Sequence, residues 1–245
     1  MKKTVLLLFA LFFLLGFFAA SLVFLAPQNA AEKPSLQRGG FSSEINIVAV
    51  SGGGEKGVTS KARAEIIDGQ GRVLFNLNPF VEPDTQFSVE TAVKVAENYT
   101  GFSLSNKDVI FEIKESPARL VGGPSAGAAL AIVTTAAIKG KRVRGDAAIT
   151  GTINANGTIG QVSGIIEKAA AASENGLKLF VIPKGQTRLV YYERQDMEER
   201  MGPFVIIRTN FVPRELDLRE FAEKELKIEI KEAANIQEAA ELLIE

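Results

Sequence analysis

Residues 122–138 read GGPSAGAALAIVTTAAI, a glycine-rich turn that leads into an uncharged run rich in alanine. Pro124 suits the first turn of a helix, because the N–H that proline lacks would have no partner there. Gly140 suits the end of the same helix. A helix with no polar face is typical of a buried core. The stretch therefore predicts a buried helix over 125–138 that begins at Ser125.

Strand and helix patterns alternate on both sides of this helix. Upstream, strands are predicted at 45–50, 58–67 and 109–113, with a helix over 85–99. The downstream predictions are strands at 147–149, 179–182 and 228–230, a hairpin at 154–157, and helices over 163–174 and 235–244. Interleaved strands and helices indicate an α/β or α+β fold.

Residues 186–226 have the least regular pattern in the chain. A charged run over 192–201 predicts a helix, and 204–208 predicts a strand. Pro213 opens a further predicted helix, which continues through 226.

The chain begins with two lysines and an uncharged, mostly apolar stretch over 4–27. About 22 residues of helix span roughly 33 Å, enough to cross a bilayer core. We therefore expect an uncleaved membrane anchor over 1–27, with a cleaved signal peptide as the alternative, a linker over 28–43 and one folded domain over 44–245. Lys2 and Lys3 favour a cytoplasmic amino terminus, so the domain is expected to face the exterior.

The residue types that are absent limit the chemistry of the chain. It contains no histidine and no cysteine, which excludes disulfides, thiolate nucleophiles and zinc fingers and removes imidazole as a general base. No Walker A pattern or EF-hand loop is present, and we expect neither a cofactor nor a metal, although composition leaves open a magnesium or calcium site built from oxygen ligands. The net charge of −1 does not favour a nucleic-acid partner.

Ser125 lies at the centre of Gly123-Pro124-Ser125-Ala126-Gly127, where the glycine-rich turn enters the predicted helix. The pattern matches the G-x-S-x-G elbow of α/β hydrolases, but their triad needs a downstream histidine, which this chain lacks. Unpaired N–H groups and the positive end of the helix dipole beside the hydroxyl could bind an oxyanion. The alternative is that Ser125 only caps the helix.

Lys168 follows Ser125 by 43 residues and lies in another predicted helix. It shares a face with Ile165, Ala169 and Ala172, so its amine is expected to be partly desolvated. Desolvation lowers a lysine pKa and lets the neutral amine accept a proton near neutral pH. With imidazole absent, this amine is the leading candidate to activate the serine hydroxyl. The alternative is a structural lysine whose charged end reaches solvent.

Three segments resemble the proteolytic domain of the Lon protease family. Residues 150–168, TGTINANGTIGQVSGIIEK, are similar without a gap to the Lon segment that carries the catalytic lysine. Residues 123–127, GPSAG, resemble the Lon serine motif, and residues 178–184, KLFVIPK, resemble the strand that follows in that family. A looser similarity extends over about 45–243.

The resemblance implies a Ser–Lys dyad with Ser125 as nucleophile and Lys168 as general base. It implies that Thr150 holds the lysine amine and that Gly123, Pro124 and Ala126 form the loop around the nucleophile. The fold it implies is a two-layer α/β domain like the second domain of ribosomal protein S5. The family commonly assembles as a hexameric ring, so a homo-oligomer is expected.

The chain departs from the family pattern at several positions. Gly122 and Gly123 stand where Lon enzymes usually carry an acidic residue, and Phe111 and Ile113 replace histidines of bacterial members. Ser163 replaces the first of two glycines before the lysine helix. The stretch 186–226 is longer than the family connection, which suggests a lid or a partner surface.

The ATPase module of the family is missing from these 245 residues. The leading hypothesis is therefore a membrane-anchored, ATP-independent serine endopeptidase that cleaves unfolded or loosely structured polypeptides, with dependence on a separate partner left open. The alternative is a non-catalytic scaffold or adaptor that retains the protease fold. A third class, the Ser–Lys enzymes related to penicillin-binding proteins, requires an S-x-x-K motif that does not occur here.

Overall fold

The computed structural model describes residues 41–51, 56–76, 79–114, 120–202 and 204–245. The predicted membrane anchor and most of the predicted linker lie outside these residues. Within them, no helix is both long and apolar enough to cross a membrane.

The strands are β1 (Phe41–Val50), β2 (Gly57–Asp68), β3 (Val73–Phe75), β4 (Phe80–Val81), β5 (Lys107–Lys114), β6 (Leu120–Val121), β7 (Ala147–Ile149), β8 (Thr152–Ile153), β9 (Ile159–Gly160), β10 (Leu179–Pro183), β11 (Arg188–Met201), β12 (Phe204–Asp217) and β13 (Glu229–Ala233). The helices are α1 (Pro83–Thr100), α2 (Gly127–Ile138), α3 (Ile165–Glu174), α4 (Leu218–Phe221) and α5 (Ile236–Leu243). A one-turn 3₁₀ helix, Pro124–Ala126, leads into α2, and a π-helical turn, Ala222–Leu226, follows α4.

The central sheet has the order β13-β10-β7-β1-β2-β5-β3 within the described residues. The strands β13, β10, β7 and β1 are parallel, β2 is antiparallel to both its neighbours, and β3 is parallel to β5. The fold is therefore mixed α/β with a mostly parallel sheet, and the α/β prediction is confirmed. Parallel strands bring their carboxyl ends to one edge of a sheet, so β7 and β10 end side by side.

The sheet separates two hydrophobic cores. Ile149 and Val181 face the core that contains α1, α2 and α5, whereas the neighbouring residues Ala148 and Phe180 face the core that contains α3. Successive residues of a strand point to opposite faces, and a strand buried on both faces is apolar throughout. Helices therefore cover both faces of the parallel half, and the expected two-layer arrangement is wrong there.

The short elements around the site follow their predictions closely. The helix predicted over 125–138 is the 3₁₀ turn followed by α2, and the helix predicted over 163–174 is α3. The hairpin predicted at 154–157 joins β8 to β9. The first strand begins at Phe41 rather than at residue 45.

The predictions for 192–201 and for the helix that starts at Pro213 are wrong. Both segments belong to a long antiparallel hairpin, in which β11 pairs with β12 over its whole length and Tyr192 lies opposite Pro213. The helix that follows begins only at Leu218. The side chains of 192–201 have good helix propensity, but tertiary pairing with the β-rich strand β12 overrides it.

Candidate active site

Ser125 lies in the 3₁₀ turn between the glycine-rich loop and α2. The turn begins after Gly123, whose φ of 84° favours glycine, and Pro124 occupies its first position. Ser125 itself is half-buried, and Ala126 packs against the larger core. Each residue predicted for the nucleophile loop is therefore part of one turn at the amino end of a buried helix.

Three hydrogen bonds join this turn to the carboxyl end of β7. The carbonyl oxygen of Ser125 accepts from Gly151 N at 2.9 Å and from Thr150 Oγ1 at 3.3 Å. Ala128 N donates to Gly151 O at 3.0 Å. Segments 25 residues apart in sequence are thus held as one unit.

Lys168 is carried by α3, and its side chain enters the interior. The residue is only 3% exposed, and its helix neighbours Ile165, Ala169 and Ala172 are buried with it. The predicted apolar face is therefore confirmed. Burial lowers the pKa of the Lys168 amine from 10.5 to about 8, against a smaller opposing effect of the Glu167 carboxylate. An appreciable fraction of the amine is then neutral near neutral pH.

Thr150 connects the lysine to the serine turn. The Lys168 amine donates to Thr150 Oγ1 at 3.3 Å, and the same hydroxyl donates to the Ser125 carbonyl oxygen. Thr150 is fully buried, so this connection is shielded from water. The structure brings together Ser125, Thr150 and Lys168, from three segments of the chain.

The contact between the Ser125 hydroxyl and the Lys168 amine stays a prediction. Among the hydrogen bonds of the described residues, the amine bonds to Thr150, and Ser125 takes part through its carbonyl oxygen. Catalytic hydrogen bonds are often long or poorly aligned without substrate and tighten when it binds.

Residues at the start of α1 also shape the nucleophile loop, and sequence reasoning missed them. The buried hydroxyl of Thr85 donates to Gly123 O at 3.1 Å, and Glu82 N donates to Val121 O at 3.0 Å. A Cβ on Gly122 would lie 2.0 Å from Glu82 Oε2. The Glu82 carboxylate therefore lies where a side chain at position 122 would be. No local signal links these residues to a loop about 40 positions away.

The described residues contain no group of three or more acidic side chains placed to hold a metal ion. The groups that the site itself offers are a hydroxyl, a desolvated amine and the backbone N–H groups at a helix start.

Residues 94–203 match the family model of the Lon protease (S16) C-terminal proteolytic domain. This range contains Ser125, Thr150 and Lys168.

Curated relatives give the same result over similar segments. A Lon protease of Lachnoclostridium phytofermentans is 33% identical over 112 residues, which cover 46% of this chain and 12% of that protein. A Lon protease of Desulforamulus reducens is 43% identical over 61 residues, 25% of this chain and 8% of that protein. The peroxisomal Lon protease homolog 2 of Bos taurus is 31% identical over 132 residues, 49% of this chain and 15% of that protein.

The aligned segments thus cover between 8% and 15% of these relatives. The resemblance noted in the sequence is confirmed for the proteolytic domain, and the comparisons support a serine-type peptidase domain of the Lon kind within this chain.

Proposed function

We propose that this chain is a serine endopeptidase that cleaves unfolded or loosely structured polypeptides with a Ser125–Lys168 dyad. The observation that carries the proposal is the buried Lys168 amine, which is held by Thr150 against the turn that presents Ser125. A lysine pKa of about 8 is close to the value that suits a general base at neutral pH.

In the proposed mechanism, Ser125 Oγ attacks the carbonyl carbon of the scissile peptide while the neutral Lys168 amine takes the hydroxyl proton. The resulting ammonium returns that proton to the departing amine, which leaves an acyl-enzyme. Water then attacks the ester with Lys168 again as base, and the serine hydroxyl is regenerated. Thr150 positions the amine and does not touch the substrate.

The oxyanion of each tetrahedral intermediate would be bound by N–H groups at the start of the helix. The first N–H groups of a helix lack intrahelical acceptors, and the helix dipole adds partial positive charge there. The Thr85 and Gly151 hydrogen bonds hold this turn in place before substrate arrives, which is the preorganisation that such stabilisation requires.

The proposal extends to location and energy source. The apolar stretch over 4–27 supports a membrane anchor, and the lysines before it support an exterior domain. Cleavage is further proposed to proceed without ATP. The resemblance to Lon supports a ring of identical subunits.

The test is hydrolysis of unfolded casein and of a short fluorogenic peptide by the detergent-solubilised full chain. We expect Ser125→Ala to lower kcat/KM at least about 10³-fold on both substrates, and ATP to change neither rate. An acylating probe should label wild type and not the variant. Cleavage that survives Ser125→Ala would contradict the dyad. An inactive wild type that the probe does not label would favour the scaffold alternative.

A further inference from the structure

The β11–β12 hairpin exposes more large apolar side chains than any other element that the structure describes. These side chains are between 39% and 70% exposed, and they are Val190, Tyr191, Tyr192, Met197, Phe204, Val205, Ile206, Ile207 and Phe211. Exposed apolar side chains concentrated on one element favour an interaction site.

The hairpin starts at the catalytic edge of the sheet, which is the edge where β7 and β10 end beside the proposed dyad. It follows β10, whose carboxyl end lies beside that of β7 and therefore beside Thr150. The Gln186 side chain donates to Val162 O at 2.8 Å and accepts from Val162 N at 3.0 Å, which ties the base of the hairpin to the segment before α3. By contrast, β1 is parallel to β7, so Phe41 begins it at the opposite edge.

The base of the hairpin is also held from β13. The Glu232 carboxylate accepts from Gly185 N at 2.8 Å, from Thr187 Oγ1 at 3.3 Å and from the Arg219 guanidinium at 2.7 Å. With the Gln186 contacts, these bonds fix both sides of the base. The hairpin therefore projects from a base that these bonds hold next to the proposed dyad.

Several charges of the hairpin pair with one another. Arg194 bonds to Asp196 at 3.0 Å and Arg214 to Glu193 at 2.9 Å, and these pairs are cross-strand or within one strand. The exposed side chains of the hairpin include nine large apolar ones, and such surface favours an apolar-rich ligand.

The backbone adds a second binding element. Within the described residues, β11 and β12 pair only with each other, so each keeps one open edge. An open edge binds an extended polypeptide by main-chain hydrogen bonds, while side chains of the ligand contact neighbouring pockets and surfaces. Tyr192 and Phe211 lie diagonally on one face, because their opposite residues are Pro213 and Arg194.

We propose that the β11–β12 hairpin is the docking arm for substrate, and that its ligand is an extended, apolar-rich polypeptide that pairs with a hairpin edge before it enters the site. This inference rests on the proposed endopeptidase function. It assigns recognition of long unfolded chains to the hairpin, and bond cleavage to Ser125 and Lys168.

The experiment uses Tyr192→Ser/Phe211→Ser in the full chain, with Phe41→Ser as the matched control. Phe41 is 56% exposed, comparable to 66% for Tyr192 and 64% for Phe211, but lies at the opposite edge. The measured quantity is kcat/KM for unfolded casein divided by kcat/KM for a four-residue peptide. We expect the double variant to lower this ratio by about tenfold, through a higher KM for casein. The control should leave the ratio unchanged.

A binding assay separates this inference from the proposed function. In a Ser125→Ala background, fluorescence anisotropy of labelled unfolded casein measures affinity without cleavage, and we expect the double variant to weaken it about tenfold. Equal affinity would overturn the docking role, whatever the fate of the dyad. A lower particle mass or loss of vesicle binding, with casein affinity unchanged, would also overturn it, in favour of a second copy or a lipid surface.

Discussion

The buried amine of Lys168 makes this residue both the proposed base and a source of instability. Its pKa in the folded chain is about 8, below the 10.5 of an exposed lysine, because burial disfavours the charged form. Unfolding therefore takes up a proton between pH 8 and 10.5, and the free energy of unfolding rises with pH in that window. Below pH 8 the free-energy cost of burying the charged Lys168 amine is at its full value.

We expect Lys168→Met to abolish hydrolysis and yet to raise the free energy of unfolding at pH 7 by about 1–3 kcal/mol. The methionine fills the same apolar space without a charge. Denaturant unfolding of the detergent-solubilised chain measures the difference, which should shrink as the pH rises from 8 to 10.5. Lys94→Met, at an exposed lysine, is the control and should not raise the free energy of unfolding at pH 7 by a comparable amount.

The Thr150 hydroxyl links the Lys168 amine to the turn that carries Ser125. Thr150→Val removes the acceptor of the Lys168 amine, so the ammonium form loses stabilisation and its pKa should fall below about 8. We expect kcat to fall about 10–100-fold, with the rise of the pH–rate profile moved to lower pH. Thr150→Ser keeps the hydroxyl and should show the wild-type kcat and the wild-type pH–rate profile. A valine variant with the wild-type profile would show that Thr150 does not hold the base.

Among the elements, the packing of α3 on β2 sets the position of the proposed base. At Gly57, the first residue of β2, a Cβ would lie 2.1 Å from the Glu167 carbonyl oxygen and 2.7 Å from Ala171 Cβ. The glycine therefore lets the helix approach the strand closely, and Lys168 follows Glu167 directly.

We expect Gly57→Ala to push α3 away from the sheet and to lower the free energy of unfolding by about 1–3 kcal/mol. The displaced base should lower kcat, with a smaller change in KM. Thermal unfolding and peptide hydrolysis measure the two effects. Gly145→Ala is the matched control, because a Cβ there meets no atom within 4 Å. If both glycine variants behave alike, the close approach does not position the base.

At the level of the whole molecule, the proposed anchor and ring would bring many sites to one membrane surface. The sequence feature behind the anchor is the apolar stretch over 4–27 with its preceding lysines. Each hairpin would project from the catalytic edge of its own subunit.

We expect the full chain to remain with the membrane fraction after alkaline carbonate extraction, and a chain that begins at residue 28 to be found in the soluble fraction. Mass photometry of the detergent-solubilised full chain should give particles of six subunits. A full chain released by carbonate would contradict the anchor, and monomeric particles would contradict the ring.

Much of the fold and part of the site follow from local patterns. Burial can be predicted from an apolar pattern alone, because a buried helix or face must be apolar wherever it lies. Two such patterns are the apolar run over 125–138 and the helix face that Lys168 shares with Ile165 and Ala169. The lack of histidine and cysteine left few chemical choices for activating Ser125. The sequence by itself therefore determined a buried helix that begins at Ser125, an amine in an apolar setting and a resemblance to the Lon proteolytic domain.

Tertiary structure alone decided how these parts meet. The Thr150 hydroxyl lies between amine and serine turn because β7 ends beside α2, and the Glu82 carboxylate lies over Gly122 because α1 begins there. Residues 192–201 form a strand because β12 pairs with them, although their own side chains favour helix. In each case the deciding interaction joins residues far apart in the chain, and no local pattern contains it.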